Sequence, residues 1–548
     1  MKITRRRFMS GAAGMAVGTS LLQFPHPCLA KYAGSAANDL TQISATALAR
    51  LIRKRKASSA EVVEAYIERI KAVNPKLNAI VQLAEEQAMK RARSADDALA
   101  RGEIWGPLHG VPVTIKDEFE TKGIVSTIGT LGLKDHVPKE DATVVKRYKS
   151  AGAIILGKTN VPELLWAAET DNYVYGRTNN PYDLKRSPNG SSGGEAAIIA
   201  AGGSPLGVGS DAGGSIRQPA HFCGIAGLKP TTGRIPMTGS LMPHCPTLSR
   251  FDAAGPMSRY VEDLWLGLKV LSGPDGCDPD ALPVPLQNPR RVNVEKLRIA
   301  YVTHDARAEP TPEVQKAVRK AAKALARAGA EVEEACPPGF EETADLAVAL
   351  LADDLQLGLP EALTKYKTKK IHPLLSSALS FWAKLMEKIG ENTPERTLER
   401  HEQWRRFCSD LAKFFQRYDA FLCPPDLTPA WEHDTSLEWE ENPDVNGWEF
   451  VVAFNMAGSP AAVVRCATSR EGLPIGVQVA GPNWREDIVL AVAQVLEDEF
   501  GGWRPPGVVC PGNSALAQRA EVKHRYDAFK TRKYLKRGAW IAFGEKVR

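Results

Sequence analysis

The stretch GSDAGGSIRQPAHFCGIAGLKPTTGR, Gly209–Arg234, sets six glycines and two serines among short apolar runs. On composition alone a Gly/Ser-rich run reads as a linker. Its surroundings argue otherwise. SPLGVGSD, ending at Asp211, reads as a strand leading straight into Gly213-Gly214-Ser215. Upstream, NGSSGGEA (Asn189–Ala196) passes into GEAAIIAA, a short helix by pattern. Further upstream, GVPVTIKD (Gly110–Asp117) is an apolar, β-branched run that ends on Lys116. Each piece alone is weak. A lysine at a strand end is ordinarily a solvated surface group, and Gly-Ser runs are ordinarily loops.

Two simpler readings of these glycines fail on context. GAIILGKT, Gly152–Thr159, matches the phosphate-loop pattern GxxxxGK[ST]. That loop needs a turn whose N–H groups converge on phosphate, followed by a helix. Here Ile154, Ile155 and Leu156 read as a buried strand, and Asn160-Val161-Pro162 leaves no room for the helix. GSSGG, Gly190–Gly194, matches the GxSxG nucleophile elbow with Ser192 at its centre. The elbow needs an apolar strand just before it, whereas NNPYDLKRSPN is polar and turn-rich. It also needs a downstream histidine, and none of His244, His304 and His433 stands out by context.

Taken together, GVPVTIKD, NGSSGGEAA and the Gly209–Arg234 run resemble the amidase signature family. The resemblance extends from about Leu40 to about Pro511 and is densest from Gly110 to Gly233. It implies an α/β fold, with a large mixed, mostly parallel β-sheet covered by helices on both faces. It implies hydrolysis of linear carboxylic amides to carboxylate plus ammonia or amine, with an esterase side activity and no cofactor or metal. It implies a Ser-Ser-Lys triad, in which Ser215 is the nucleophile, Ser191 the bridging serine after a cis Gly190–Ser191 peptide, and Lys116 the base. The N–H groups of Ala212, Gly213 and Gly214 would form the oxyanion hole, with Ser192, Asp211 and Arg217 in support. The chemistry is coherent, because a serine hydroxyl needs its proton removed as it attacks. A lysine accepts that proton only when neutral, and burial favours the neutral form.

The rest of the chain supplies the setting. With 43% hydrophobic and 24% charged residues over 548, it is globular in composition, and alternating strand and helix patterns argue an α/β domain. The positive net charge is concentrated at the ends. Lys2, Arg5, Arg6 and Arg7 lie in the first thirty residues, and the segment from Asn513 holds ten Lys/Arg against three Asp/Glu. The body between is net negative, which gives no electrostatic reason to expect nucleic-acid binding. MKITRRRFMSGAAGMAVGTSLLQFPHPCLA (residues 1–30) reads as a twin-arginine export signal ending near Ala30, which would place the protein in a periplasm or outside the cell. The expected organisation is thus a leader over 1–30, an amidase domain over 38–512 and a basic extension over 513–548. The extension reads as a solvated tail, with a membrane-surface helix as the minority reading, and a homodimer stays open. Nine cysteines show no CxxC or zinc spacing and read as isolated, buried thiols. Residues 340–418 read as mostly helical and would form a cap. That cap, and loops such as PPDLTPAWEHD (424–434), would choose the substrate among small-molecule amides.

Overall fold

The computed structural model describes residues 40–507, except 244, 308, 390–392 and 439–446. The export signal, the basic tail, His244 and Cys510 therefore lie outside the described residues.

Among the described residues eleven strands form one sheet: β1 Ile80–Leu83, β2 Pro112–Lys116, β3 Ile154–Thr159, β4 Leu206–Ser210, β5 Ala226–Lys229, β6 Ala254–Ser258, β7 Arg298–Tyr301, β8 Glu331–Glu334, β9 Ala420–Cys423, β10 Ala461–Thr468 and β11 Pro474–Ala480. Their spatial order is β1-β3-β2-β4-β6-β5-β10-β11-β9-β7-β8. The sheet is mixed and helix-covered, as expected, but it is not mostly parallel. Only β2–β3, β2–β4, β7–β8 and β7–β9 run parallel, and the other six pairings are antiparallel. Helical crossovers produce the parallel pairs on the two flanks, such as the helix Thr143–Ser150 between β2 and β3. The centre is antiparallel, and β10 and β11 are joined there by a tight turn in which the Gly472 N–H bonds the Ser469 carbonyl at 3.1 Å.

Several elements carry little local signal of their own. β5, β6 and β8 (AGLK, AGPMS, EVEE) carry too much glycine, alanine, proline or charge to show an alternating signal. The helix Ser59–Leu77 opens with a Ser58/Glu61 capping box and runs past Asn74-Pro75. Pro75 sits in the last turn, and Asn74 Oδ1 takes the N–H groups of Ala79 and Ile80, both at 2.8 Å, once Asn78 has turned left-handed. Thr311 precedes the helix Pro312–Arg327 without making a capping bond. The cysteine reading is half right: Cys223, Cys245, Cys423 and Cys466 are buried, but Cys277 and Cys336 are exposed.

Two apolar clusters cover the sheet. The larger packs helices such as Ser59–Leu77 and Glu486–Phe500 against both the parallel and antiparallel strands. The second joins the C-terminal strands to three helices, Thr343–Lys365, Pro373–Ile389 and Pro394–Arg417. These helices occupy the expected cap region. Two of them, Thr343–Lys365 and Pro373–Ile389, contribute Leu351, Ala378 and Trp382 to the cavity that also holds Ser210 and Ser215. Among the described residues no helix is long and apolar enough to cross a membrane.

Candidate active site

The strand β2 delivers Lys116 to a fully buried position, because every residue of PVTIK is buried. The Lys116 Nζ lies 2.7 Å from Ser191 Oγ and 2.7 Å from Ser210 Oγ. Glu118 Oε2 stands 3.5 Å away, also fully buried. Ser210 donates to the same Glu118 oxygen, and Ser240 donates to the other at 2.7 Å. Burial lowers the Lys116 pKa, and the charges of Glu118, Asp252 and Asp211 oppose that shift only in part.

NGSSGGEA is neither linker nor phosphate loop. The Gly190–Ser191 peptide is cis. Asn189 is left-handed at φ 64°, and its carbonyl accepts a 2.8 Å bond from Thr170 Oγ1. The helix Gly193–Ala200 follows at once and is wholly buried. Glu195 on that helix clamps two strands: it accepts from Thr114 of β2 and from Thr159 of β3, the latter at 2.8 Å. Burial pushes the Glu195 carboxyl up to about 7. The stretch is therefore bolted to the sheet at the point where Lys116 emerges.

The second glycine run is held from beneath by Asp211 and Arg217, both fully buried. The Asp211 carboxylate accepts from Arg217 Nε at 2.9 Å and Nη2 at 2.8 Å, and from the N–H groups of Gly214 (2.8 Å) and Ile216 (3.1 Å). Burial by itself would raise the Asp211 pKa, but the Arg217 guanidinium more than offsets it and holds the carboxyl well below its usual range. Arg217 also donates to the Val451 carbonyl, Gln478 and Asn455, so it is an internal brace and not a surface charge. Gly214 has φ 104°, a left-handed conformation that favours glycine. A Cβ on Gly213 would lie 2.4 Å from the Trp448 indole nitrogen, which donates to the Gly213 carbonyl.

Ser191, Ser210, Ala212, Gly213 and Ser215 line one cavity of about 130 Å³. Ser192 adjoins it: its N–H bonds the Ser215 carbonyl at 3.2 Å, and its buried Oγ donates to the Ser210 carbonyl at 3.3 Å. Of the three oxyanion candidates, Gly214 has its N–H engaged by Asp211. Among the described residues no backbone hydrogen bond engages the N–H groups of Ala212, Gly213 or Ser215. Sequence reasoning missed Glu118, Ser210, Asp252 and Asn455. Glu118 offered a signal, an acid two residues past a buried lysine, but nothing local marks the others.

The alternative motifs resolve as structure. GAIILGKT is β3, and Lys158 is fully buried, bonding the Phe119 carbonyl at 2.5 Å and Ser126 Oγ at 2.8 Å. Among the described residues no histidine lines the serine cavity: His304 meets Thr303, and His433 faces Glu169 at 3.8 Å. An elbow built on Ser192 has neither its strand nor its base.

The family model Amidase matches residues 61–490. Indoleacetamide hydrolase from Bradyrhizobium diazoefficiens is 35% identical, over 84% of this chain and 87% of its own length. Fatty-acid amide hydrolase 2 from Homo sapiens is 34% identical, over 86% of this chain and 91% of its own. A solved fatty acid amide hydrolase superposes with a TM-score of 0.76 at 25% identity, covering 85% of this chain and 86% of that one. The chain belongs to the amidase signature family, whose hydrolases act on carboxylic amides.

Proposed function

We propose that this protein is a free-standing serine amidase that cleaves linear amides through an acyl-enzyme on Ser215. The observation that carries the reading is a buried lysine, its pKa lowered, within 2.7 Å of Ser191 Oγ beside the cavity that also holds Ser215. Ser215 Oγ attacks the carbonyl carbon while its proton passes to Ser191 Oγ and the Ser191 proton passes to neutral Lys116. The carbonyl π pair moves onto oxygen, where the N–H groups of Ala212, Gly213 and Ser215 meet it. Gly214 does not serve there, since its N–H is held by Asp211; it shapes the loop instead. On collapse the C–N bond breaks, and the leaving nitrogen takes a proton returned along Lys116 and Ser191. Water then attacks the ester by the same relay, releasing the carboxylate and restoring Ser215. An ester substrate enters the same cycle.

Asp211, Arg217 and Ser192 are positioning residues for the loop that carries Ser215. Glutamyl-tRNA(Gln) amidotransferases are also among the relatives, such as that of Alkaliphilus metalliredigens at 34% identity. Hydrolysis is favoured over tRNA-dependent amide transfer because the leader reads as an export signal, and an exported enzyme meets no charged tRNA. Export itself is tested by fractionating cells that carry the native gene: the protein should appear outside the cytoplasm, and Lys replacement of Arg5 and Arg6 should retain it inside. Activity is tested with a panel of aliphatic, aromatic, peptide and fatty amides on wild type and Ser215→Ala. Undiminished turnover by folded Ser215→Ala would refute the mechanism.

A further inference from the structure

Besides the serines, the cavity wall carries four indoles, Trp166, Trp382, Trp431 and Trp448. Trp382 stands edge-on to Trp166 (6.1 Å between centroids, 88°) and to Trp448 (5.6 Å, 86°), so ring faces meet at right angles. Among the described lining residues the charged side chains are Asp252 and Asp426, and both are acidic. Each is more than nine-tenths buried. The Asp252 Oδ1 makes no hydrogen bond among the described residues. Asp426 accepts from Gln218 Nε2 at 2.9 Å and from the Leu427 N–H at 2.7 Å, but it has no cation beside it on the wall.

Two ionised carboxyls in an apolar pocket carry a desolvation penalty unless a positive charge answers them; Lys116 answers Asp252 in part, and no cation among the described lining residues answers Asp426. Indole faces attract cations electrostatically, more strongly when water is excluded. We propose that the cavity selects primary amides whose acyl chain carries a protonated amine, held between the indole faces and the Asp252 and Asp426 carboxyls. In a primary amide the leaving group is ammonia, so the positive charge must sit on the acyl part. The protonation of the two acids fits this role. Burial, with Glu118 nearby, pushes Asp252 up to about 7 against the opposing charge of Lys116, and burial pushes Asp426 up to about 8, so a further cation would favour ionisation of both. The inference rests on the hydrolase reading for its substrate class but not for its binding chemistry.

The test uses an isosteric pair, 5-aminopentanamide and hexanamide, which differ by an ammonium in place of a methyl. Wild type should hydrolyse the amine with at least tenfold higher kcat/KM, mostly through KM. Asp426→Asn should erase most of that preference, and Asp252→Asn should reduce it as well. In folded Ser215→Ala, quenching of tryptophan fluorescence reads binding without turnover and should show the same order of affinity. Equal or tighter binding of hexanamide, no binding of either amide, or an unchanged preference in both Asp variants would overturn the inference. If Ser215→Ala binds the amine selectively while wild type turns over neither amide, the pocket's preference stands and the hydrolase reading falls.

Discussion

Lys116 and Lys158 occupy neighbouring strands, and their circumstances are nearly alike. Each is fully buried, and each has an acid close by, Glu118 at 3.5 Å and Asp117 at 3.4 Å. The β2–β3 register pairs Lys116 with Thr159 and Ile115 with Lys158, so the two lysines point to opposite faces of the sheet. The difference lies in what receives each nitrogen. Lys158 meets the Phe119 carbonyl, which only accepts, and Ser126 Oγ, whose own proton goes to the Ile124 carbonyl. Lys116 meets two serine hydroxyls, which can give a proton as well as accept one. Burial alone therefore does not make a reactive lysine. Burial lowers the pKa of both, but only the serines that meet Lys116 line the cavity that also holds Ser215.

The contrast breaks most sharply under substitution. Lys116→Met and Ser215→Ala should each lower kcat by about 10⁴ or more with the fold intact, as loss of a triad member does elsewhere. Lys158→Met should do the reverse, destabilising by about 3–5 kcal/mol as it strands buried Asp117, while the folded fraction keeps kcat within a few-fold. Denaturant titration beside steady-state kinetics checks both. A folded, inactive Lys158→Met with an active Lys116→Met would invert the assignment. Ser191→Ala comes next, with a loss of about 10²–10⁴ in kcat expected for a proton relay, whereas Ser192→Ala should cost far less.

Arg217→Met removes the partner of buried Asp211 and should destabilise by about 3–5 kcal/mol, lowering turnover through a loosened nucleophile loop. The pH profile sharpens the comparison further. The base must be neutral, so kcat/KM should rise with pH through a limb lying below the ordinary lysine range, because burial lowers the Lys116 pKa. The smallest effect is on stability. Glu195 is raised from 4.5 to about 7 by burial, so the folded state holds its proton longer than the unfolded chain does. Stability from this group is full below pH 4.5 and declines on the order of 3 kcal/mol as pH rises through 7. Glu195→Gln should flatten that decline in urea titrations at about pH 5 and about pH 8.

The elements that bear the site were legible because their signals are local. A run of β-branched residues closing on a lysine reads as a strand end, and Gly-Ser-Ser-Gly-Gly ahead of an alanine-rich segment reads as a loop entering a helix. The antiparallel centre was not legible, since β5 and β6 are short and rich in glycine, alanine and proline. Arg217 illustrates the same limit. Its neighbours in sequence say nothing about Val451, Gln478 and Asn455, which receive its hydrogen bonds from more than 230 residues away.

Residue identity and spacing were enough to single out Lys116, Ser191 and Ser215 and to place the chain in a family, because the lysine, the serines and their flanking glycines lie in short contiguous motifs. Only the tertiary structure decided which N–H groups around Ser215 stay unbonded. Only the tertiary structure brought Glu118 and Ser210 to the lysine, and gathered four indoles with Asp252 and Asp426 around one cavity. Such facts depend on long-range packing and on which polar groups are satisfied within the protein. A hydrogen bond formed within the folded loop, as between Asp211 and Gly214, removes a donor that the local sequence still presents as available.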